Sequence, residues 1–164
     1  MKTKSELKIT DILSNSYFCE GLSLTQVEEL SHFVSVIHLR ETEMLFDEGD
    51  KTGHFFVVAS GVLEVLNTNA TTETLQELRR VYPGDFIGEM ALIEGSTHTA
   101  RVVALKDSSL LTFNNAKLLK FLREKPEIGF PVIFNLAKKV SNRLRFLGHP
   151  CDILFANNDS GNNN

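Results

Sequence analysis

The stretch from Ile87 to Ala104, IGEMALIEGSTHTARVVA, holds the residues whose types and spacing best suit ligand binding. Gly88 and Glu89 open the run GEMALI, whose composition predicts a short turn of helix. The N-terminus of a helix presents unpaired N–H groups and a partial positive charge, and both favour an anion. We therefore predict that Gly88 faces an anionic ligand. Glu89 either contacts that ligand or only stabilises the helix dipole.

The elements that must position this stretch are short strands separated by glycine-bearing turns. Between about Val34 and Phe113, runs such as HFFVVA, VLEVLN and ARVVALK are typical of strands, and EGDKTG, PGD and EGS are typical of turns. Strands at this spacing, with no long helix between them, predict an antiparallel roll or barrel. Gly49 and Gly61 fall between strands, and we interpret both as turn glycines.

Helices are predicted before the strands. One covers Ser5 to Leu13, and a second follows Ser23, where Gln26 completes a capping-box pattern. Apolar residues at a spacing of three predict one buried face on this second helix, formed by Leu24, Val27, Leu30 and Phe33.

After Phe113 the pattern is helical again, over residues 115–147. The first helix starts at an asparagine cap and ends before Pro126; the second either begins near Phe130 or is kinked there, because Pro131 lacks an N–H. An apolar stripe at helical spacing follows, made of Ile133, Leu136, Ala137, Val140, Leu144 and Leu147. This stripe packs on the strands, caps a ligand or forms a dimer interface. The basic side chains Lys138, Lys139, Arg143 and Arg145 are interpreted as a solvated face.

Length and composition are those of one soluble globular domain. The chain has 164 residues, of which 42% are hydrophobic and 23% charged, and its formal charge is −4. This mild acidity argues against a nucleic-acid-binding surface, which is usually basic. We assign residues 1–147 to the domain and residues 148–164 to a C-terminal tail, whose polar end is predicted to be disordered.

The chain carries no recognisable targeting or membrane segment. No apolar run approaches the roughly 18 to 20 residues of a membrane span, and the start lacks the apolar core of a signal peptide. Cys19 and Cys151 lie far apart and form no CxxC pattern, which favours free thiols in a reducing compartment. We therefore expect a cytoplasmic protein that does not contact a membrane.

The usual catalytic arrangements are missing from the sequence. The five histidines contain no His-x-His pair, so a metal site is not expected. The cysteines have no evident base beside them, and no GxSxG motif occurs. We predict that the chain is not an enzyme and holds no metal or cofactor.

Four segments, taken in order, carry a resemblance to a known family. They are LFDEGD, FFVVASGVLEVL, PGDFIGEMALI and DSSLLTF, the last followed by an amphipathic helix. Together they resemble the cyclic nucleotide-binding domain family from about Ile12 to Arg145. The resemblance implies an α+β fold, an antiparallel, jelly-roll-like β-roll flanked by N-terminal helices and two C-terminal helices. It also implies a regulatory module that binds cAMP or cGMP and signals through movement of its last helix.

The resemblance also implies a binding site, made of Gly88, Glu89, Met90, Ala91, His98, Thr99 and Ala100. In the family the glutamate accepts hydrogen bonds from the ribose 2′-hydroxyl, and Thr99 is of a type that donates to the phosphate. The family's phosphate-binding arginine falls on His98. Arginine offers a permanent charge and a fork of donors, whereas histidine is only partly charged near neutrality. Loss of one charged hydrogen bond weakens binding roughly ten- to over a hundred-fold. Arg101, three residues further on, is expected on the opposite face of an extended strand, so it could replace the missing arginine only through a bulge.

Two functions stay open. In one, the chain binds a cyclic nucleotide weakly or only at low pH. In the other, His98 is an exposed loop residue in a degenerate pocket, which either takes a changed ligand or stays empty while the domain is a scaffold for an unknown protein partner. Only 19 residues follow Arg145, too few for the DNA-binding module of the catabolite activators, so we expect a stand-alone module without DNA. A homodimer through the last helix and a lid formed by Cys151 to Ala156 are further possibilities.

Overall fold

Eight strands and five α-helices form the structure, a computed structural model that describes residues 4–51, 53–68 and 73–146. The helices are α1 (Lys4–Ser14), α2 (Leu24–Ser31), α3 (Glu89–Glu94), α4 (Asn115–Glu124) and α5 (Pro126–Phe146), with a 3₁₀ turn at Tyr17–Cys19. The strands are β1 (Val34–Leu39), β2 (Met44–Phe46), β3 (His54–Ser60), β4 (Leu63–Thr68), β5 (Leu75–Val81), β6 (Phe86–Ile87), β7 (Arg101–Ala104) and β8 (Ser108–Asn114).

The strands form two four-stranded antiparallel sheets, in the orders β1-β8-β3-β6 and β2-β7-β4-β5. The chain crosses between the sheets several times, which produces the predicted antiparallel β-roll, with α1 and α2 before it in the chain and α4 and α5 after it. The predicted fold class is confirmed. No described helix is long and apolar enough to cross a membrane.

The core has two parts, and β3 shows why. Its side chains alternate between the two sides of the sheet, as a strand requires. Phe55 and Val57 belong to a cluster that α1, α2, α4 and α5 cover. Phe56 and Val58 belong to a second cluster inside the roll. One strand therefore ties the helical layer to the interior of the roll.

Helix α2 confirms the predicted cap but only part of the predicted face. The Ser23 N–H donates to Gln26 Oε1 at 2.9 Å, and the Gln26 N–H donates to Ser23 Oγ at 3.3 Å. Val27 is buried, but Leu24 is 61% exposed. A helix turns about 100° per residue, so a strict spacing of three drifts by about 60° at each step. Leu24 therefore lies on a different face from Leu30, and Phe33 lies beyond the end of α2 at Ser31.

Helix α5 begins at Pro126, so the predicted alternative of a start near Phe130 is wrong; Pro131 lies inside the helix, which leaves the alternative of a kink there. Proline suits the first position of a helix, because no intrahelical partner exists there for an N–H. A side chain at Gly129 would lie 2.1 Å from the Leu122 carbonyl oxygen. The two C-terminal helices therefore meet too closely for any residue other than glycine.

The predicted apolar stripe of α5 does not pack against the strands as one face, and two of its members, Val140 and Leu144, line a cavity instead. Leu136 is buried, but Ile133 and Leu144 are 40% and 54% exposed. The buried side includes Asn135, whose amide donates to the carbonyls of Phe18 at 3.3 Å and Glu20 at 2.8 Å. A hydropathy pattern places an asparagine towards solvent, and these hydrogen bonds explain why it is buried instead. Leu147 and the proposed Cys151–Ala156 lid lie outside the described residues.

Candidate functional site

A cavity of about 510 Å³ lies against the second sheet, with α3 and α5 at its wall. All seven predicted site residues line it: Gly88, Glu89, Met90, Ala91, His98, Thr99 and Ala100. The structure thus brings the predicted residues together, and their binding of a ligand stays a prediction. Most of the remaining wall is apolar and consists of Phe46, Val65, Leu78, Ile87, Val102, Val140 and Leu144.

Gly88 sets the start of α3. Its φ of +87° lies in the left-handed region, and a Cβ there would lie 3.1 Å from the His54 carbonyl oxygen. Only glycine adopts this conformation without strain. The next residue, Glu89, opens α3 with its side chain against the cavity.

His98 is buried, with 4% of its surface exposed. Its ring stacks on Phe46, with centroids 3.6 Å apart and planes 9° from parallel. The His98 N–H donates to the Asp50 carbonyl at 2.9 Å, and the His98 carbonyl accepts from the Gly49 N–H at 2.8 Å. The interpretation of His98 as an exposed loop residue is therefore wrong.

The surroundings of His98 favour its neutral form. Burial lowers the pKa of the imidazole, and Asp50 and Glu89 only partly oppose this effect. The position that holds a permanent charge in the family thus holds an uncharged ring near neutral pH. A neutral imidazole still offers one N–H, so it is a weak partner for a phosphate.

Glu89 is held by an arginine from the C-terminal helix. Arg143 Nη1 donates to Glu89 Oε1, and Arg143 Nη2 donates to the Phe86 carbonyl at 3.0 Å. The two side chains are only 18% and 9% exposed. The prediction that Arg143 lies on a solvated face is therefore wrong.

Lys139 departs from the same expectation. Its Nζ lies 3.3 Å from Asp85 Oδ1 and 3.7 Å from the centre of the Tyr17 ring. Long basic side chains can lie along apolar surface and still reach a carboxylate. Helix α5 is thus tied by two cations to the acids at the beginning of β6 and α3.

Arg79, on β5, is a cavity residue that the sequence analysis missed. It pairs with Val65 on β4 and lies two residues before buried Val81, and this period of two is the signal that could have found it. Burial and the nearby Arg143 lower the pKa of Arg79, whereas the charges of Glu89 and Asp85 raise it.

Arg101 pairs with Asp47 rather than with a residue of the cavity wall. Its guanidinium donates to both oxygens of Asp47, at 2.8 and 2.6 Å, and it does not line the cavity. The alternation of side chains along β7 predicts this orientation. Arg101 therefore does not replace the arginine missing at His98.

Comparisons with known proteins agree with this geometry. The chain matches the model of the cyclic nucleotide-binding domain over residues 36–125. It is 29% identical over 111 residues to a cGMP-dependent protein kinase of Eimeria tenella, and this match covers 67% of the chain and 10% of the kinase. A match to lysophospholipase NTE1 of Saccharomyces cerevisiae is 27% identical over 144 residues and covers 82% of the chain and 8% of that protein.

The structure is also similar to the crystal structure of the catabolite activator protein of Thermus thermophilus. The TM-score is 0.74 at 27% identity, and the match covers 85% of this chain and 63% of the other. The chain spans about a tenth of the length of the two curated enzymes that it matches. The similarity therefore concerns one domain of these larger proteins.

Proposed function

The chain belongs to the cyclic nucleotide-binding domain family, and from this premise we propose that its cavity binds cAMP or cGMP weakly. The observation that carries the proposal is the position of Glu89 on the cavity wall. Arg143 occupies Oε1 of this carboxylate, and no described residue donates a hydrogen bond to Oε2. One carboxylate oxygen thus remains to accept a ribose hydroxyl.

The weakness of binding follows from His98. The Thr99 hydroxyl and backbone N–H groups at the start of α3 are the remaining donors for the phosphate. A neutral imidazole replaces the permanent charge, and loss of one charged hydrogen bond corresponds to roughly ten- to over a hundred-fold in affinity. Relatives named for cGMP and cAMP support the ligand class without selecting the base.

Helix α5 is the element through which binding would be signalled. Val140 and Leu144 line the cavity, and Arg143 holds Glu89. A ligand in the cavity contacts Val140 and Leu144 and shares the Glu89 carboxylate with Arg143, so its binding is transmitted to α5. The proposed role is regulatory binding rather than catalysis, without cofactor or DNA, because the matched family model describes a binding domain.

One observation favours the alternative of a protein-interaction scaffold that binds no nucleotide. The His98 ring is already stacked on Phe46, and turning it towards a phosphate would break that contact. The exposed side of α5, with Phe130 and Phe134 stacked at 5.9 Å, is the surface on which a protein partner or a second copy of the chain would dock.

Calorimetric titration with cAMP and cGMP at pH 6 and pH 8 tests the proposal. We expect weak binding that is stronger at pH 6, because a protonated His98 attracts the phosphate. The matched control is Glu89→Gln, which keeps the shape of the side chain and removes its charge, and we expect it to weaken binding. Absence of binding at both pH values, even at millimolar ligand, would overturn the proposal; tight binding at both would exclude the scaffold.

A further inference from the structure

Each sheet ends in two edge strands, which have a neighbouring strand on one side only among the described residues. Such an edge is a template for a further strand, and proteins usually protect it by shortness, by charged side chains or by a bulge. The four edges of this molecule are β1, β6, β2 and β5, and they differ in this protection.

Three of the edges are protected. β6 has only two residues, and β2 has three residues and a register shift against β7. β5 is longer, but it carries Glu77, Arg79 and Arg80, and a register shift interrupts its pairing with β4. Each of these features makes pairing with a further strand less favourable.

β1 has none of this protection. Its six residues, VSVIHL, include no lysine, arginine, acid or proline, and they pair with β8 without a register shift. Val34, Val36 and Ile37 are β-branched, a composition that favours strands. Ser35 is exposed, and so is 43% of the surface of Val36. No backbone hydrogen bond joins β1 to a described segment other than β8.

We propose that β1 is a self-association edge, which pairs antiparallel with β1 of a second copy of the chain. A two-fold axis perpendicular to the sheet keeps every side chain on its own face, so residues an even number of positions apart lie opposite each other. In the register centred on Val36, this residue meets its own copy, Ser35 lies opposite Ile37, and Val34 lies opposite His38. This register buries the exposed valine of each copy and brings no lysine, arginine or acid together.

The charges at the two ends of β1 favour a second copy as the occupant. At the end of Leu39, which pairs with Ser108, residues 40–43 and 106–107 carry three carboxylates and two cations. At the other end, Val34 pairs with Phe113, so the first turn of α4 lies there, and it carries Lys117 and no acid. Antiparallel pairing places the acidic end of each copy beside the basic end of the other.

The self-association edge is separate from the cavity. No residue of β1 lines the cavity wall. The inference therefore goes beyond the proposed binding of a cyclic nucleotide, and it is tested in the absence of any nucleotide. A chain that binds neither cAMP nor cGMP but dimerises through β1 would refute the proposed function and keep this inference.

Sedimentation velocity of the full chain, from micromolar to millimolar concentration, tests the edge. We expect a reversible dimer that Val36→Lys weakens roughly tenfold or more, because an apolar cross-strand contact is lost and two like charges meet in its place. Leu75→Lys is the matched control, because Leu75 is 48% exposed and lies on the protected edge β5. It should leave the dimer unchanged. An equimolar mixture of Val36→Lys and Val36→Glu should dimerise again, because opposite charges then lie across the axis.

Phe134→Lys tests the exposed side of α5, the other surface on which a second copy would dock. We expect this variant to dimerise like the unmodified chain. Loss of the dimer in Phe134→Lys together with its retention in Val36→Lys would overturn the proposal, and so would a chain that stays monomeric up to millimolar concentration.

Amide hydrogen exchange of the unmodified chain gives a second readout, which does not depend on whether a variant folds. In an antiparallel edge strand, alternate N–H groups point away from the sheet. These amides of β1 should exchange more slowly as the concentration rises, whereas those of β5 should not change. Dimerisation without slower exchange in β1 would show that the two copies meet elsewhere.

Discussion

The segment of residues 89–98, which we call the cassette, has an ion pair at its first residue and a neutral ring at its last. At one end, Glu89 is ion-paired with Arg143, with Arg79 nearby. At the other, His98 is a stacked ring whose pKa burial lowers. The positive charge of the cavity thus comes from β5 and α5, and not from the cassette that carries it in the family. Histidine in place of arginine at position 98 therefore does not leave the cavity without a positive charge, because β5 and α5 also contribute to its wall.

Arg143→Met should give the largest effect on stability, because it leaves the Glu89 carboxylate without its cation. We expect the free energy of unfolding to fall by about 2–4 kcal/mol, somewhat less than for a fully buried pair because both side chains keep some solvent contact. Urea unfolding followed by circular dichroism measures the change.

Arg101→Met is the matched control, because Arg101 also donates two hydrogen bonds to a carboxylate, that of Asp47. Those two side chains are 35% and 32% exposed. Solvent screens exposed pairs, so we expect a clearly smaller loss. Equal losses in the two variants would show that burial does not distinguish the two ion pairs.

His98→Arg should restore a permanent charge to the neutral end of the cassette. If the cyclic nucleotide lies with its phosphate at this loop, we expect affinity for cAMP or cGMP to rise roughly tenfold or more, and to lose its dependence on pH. Calorimetry at pH 6 and pH 8 measures both effects. His98→Gln, which keeps an N–H donor but cannot become charged, is the control and should show no gain. An unchanged affinity in His98→Arg would mean that the phosphate does not lie against position 98.

The smallest effect concerns the dependence of stability on pH. Because the pKa of His98 is lower in the folded than in the unfolded chain, the unfolded state binds the proton first as pH falls. The stability associated with His98 is therefore complete above about pH 6.5 and decreases below it. Chemical unfolding at pH 7.5 and pH 5.5 should show a smaller loss in His98→Gln than in the unmodified chain. Equal losses would indicate that His98 is not held in its neutral form.

Local patterns were sufficient for the roll and for the start of the site. The cap at Ser23, the turn at Gly88 and the strands between residues 34 and 114 follow from neighbours along the chain. Side-chain alternation predicted that Arg101 points away from the cavity. These features depend on periods of two residues, on turn chemistry and on caps, and all of these are visible in a short window.

The electrostatics of the cavity, by contrast, were decided by tertiary structure. Arg143 and Glu89 lie 54 residues apart, and nothing near Arg143 in the sequence shows that its partner is an acid on another element. The burial of His98 depends on Phe46 from a distant strand, and the inward position of Asn135 depends on two carbonyls near residue 20. The sequence by itself determined which residues form the cassette, because those residues are contiguous. The tertiary structure alone decided which of these residues are charged and which are paired, because it brings β2, β5 and α5 to the same cavity. Burial and ion pairing depend on distance in space and not on distance along the chain.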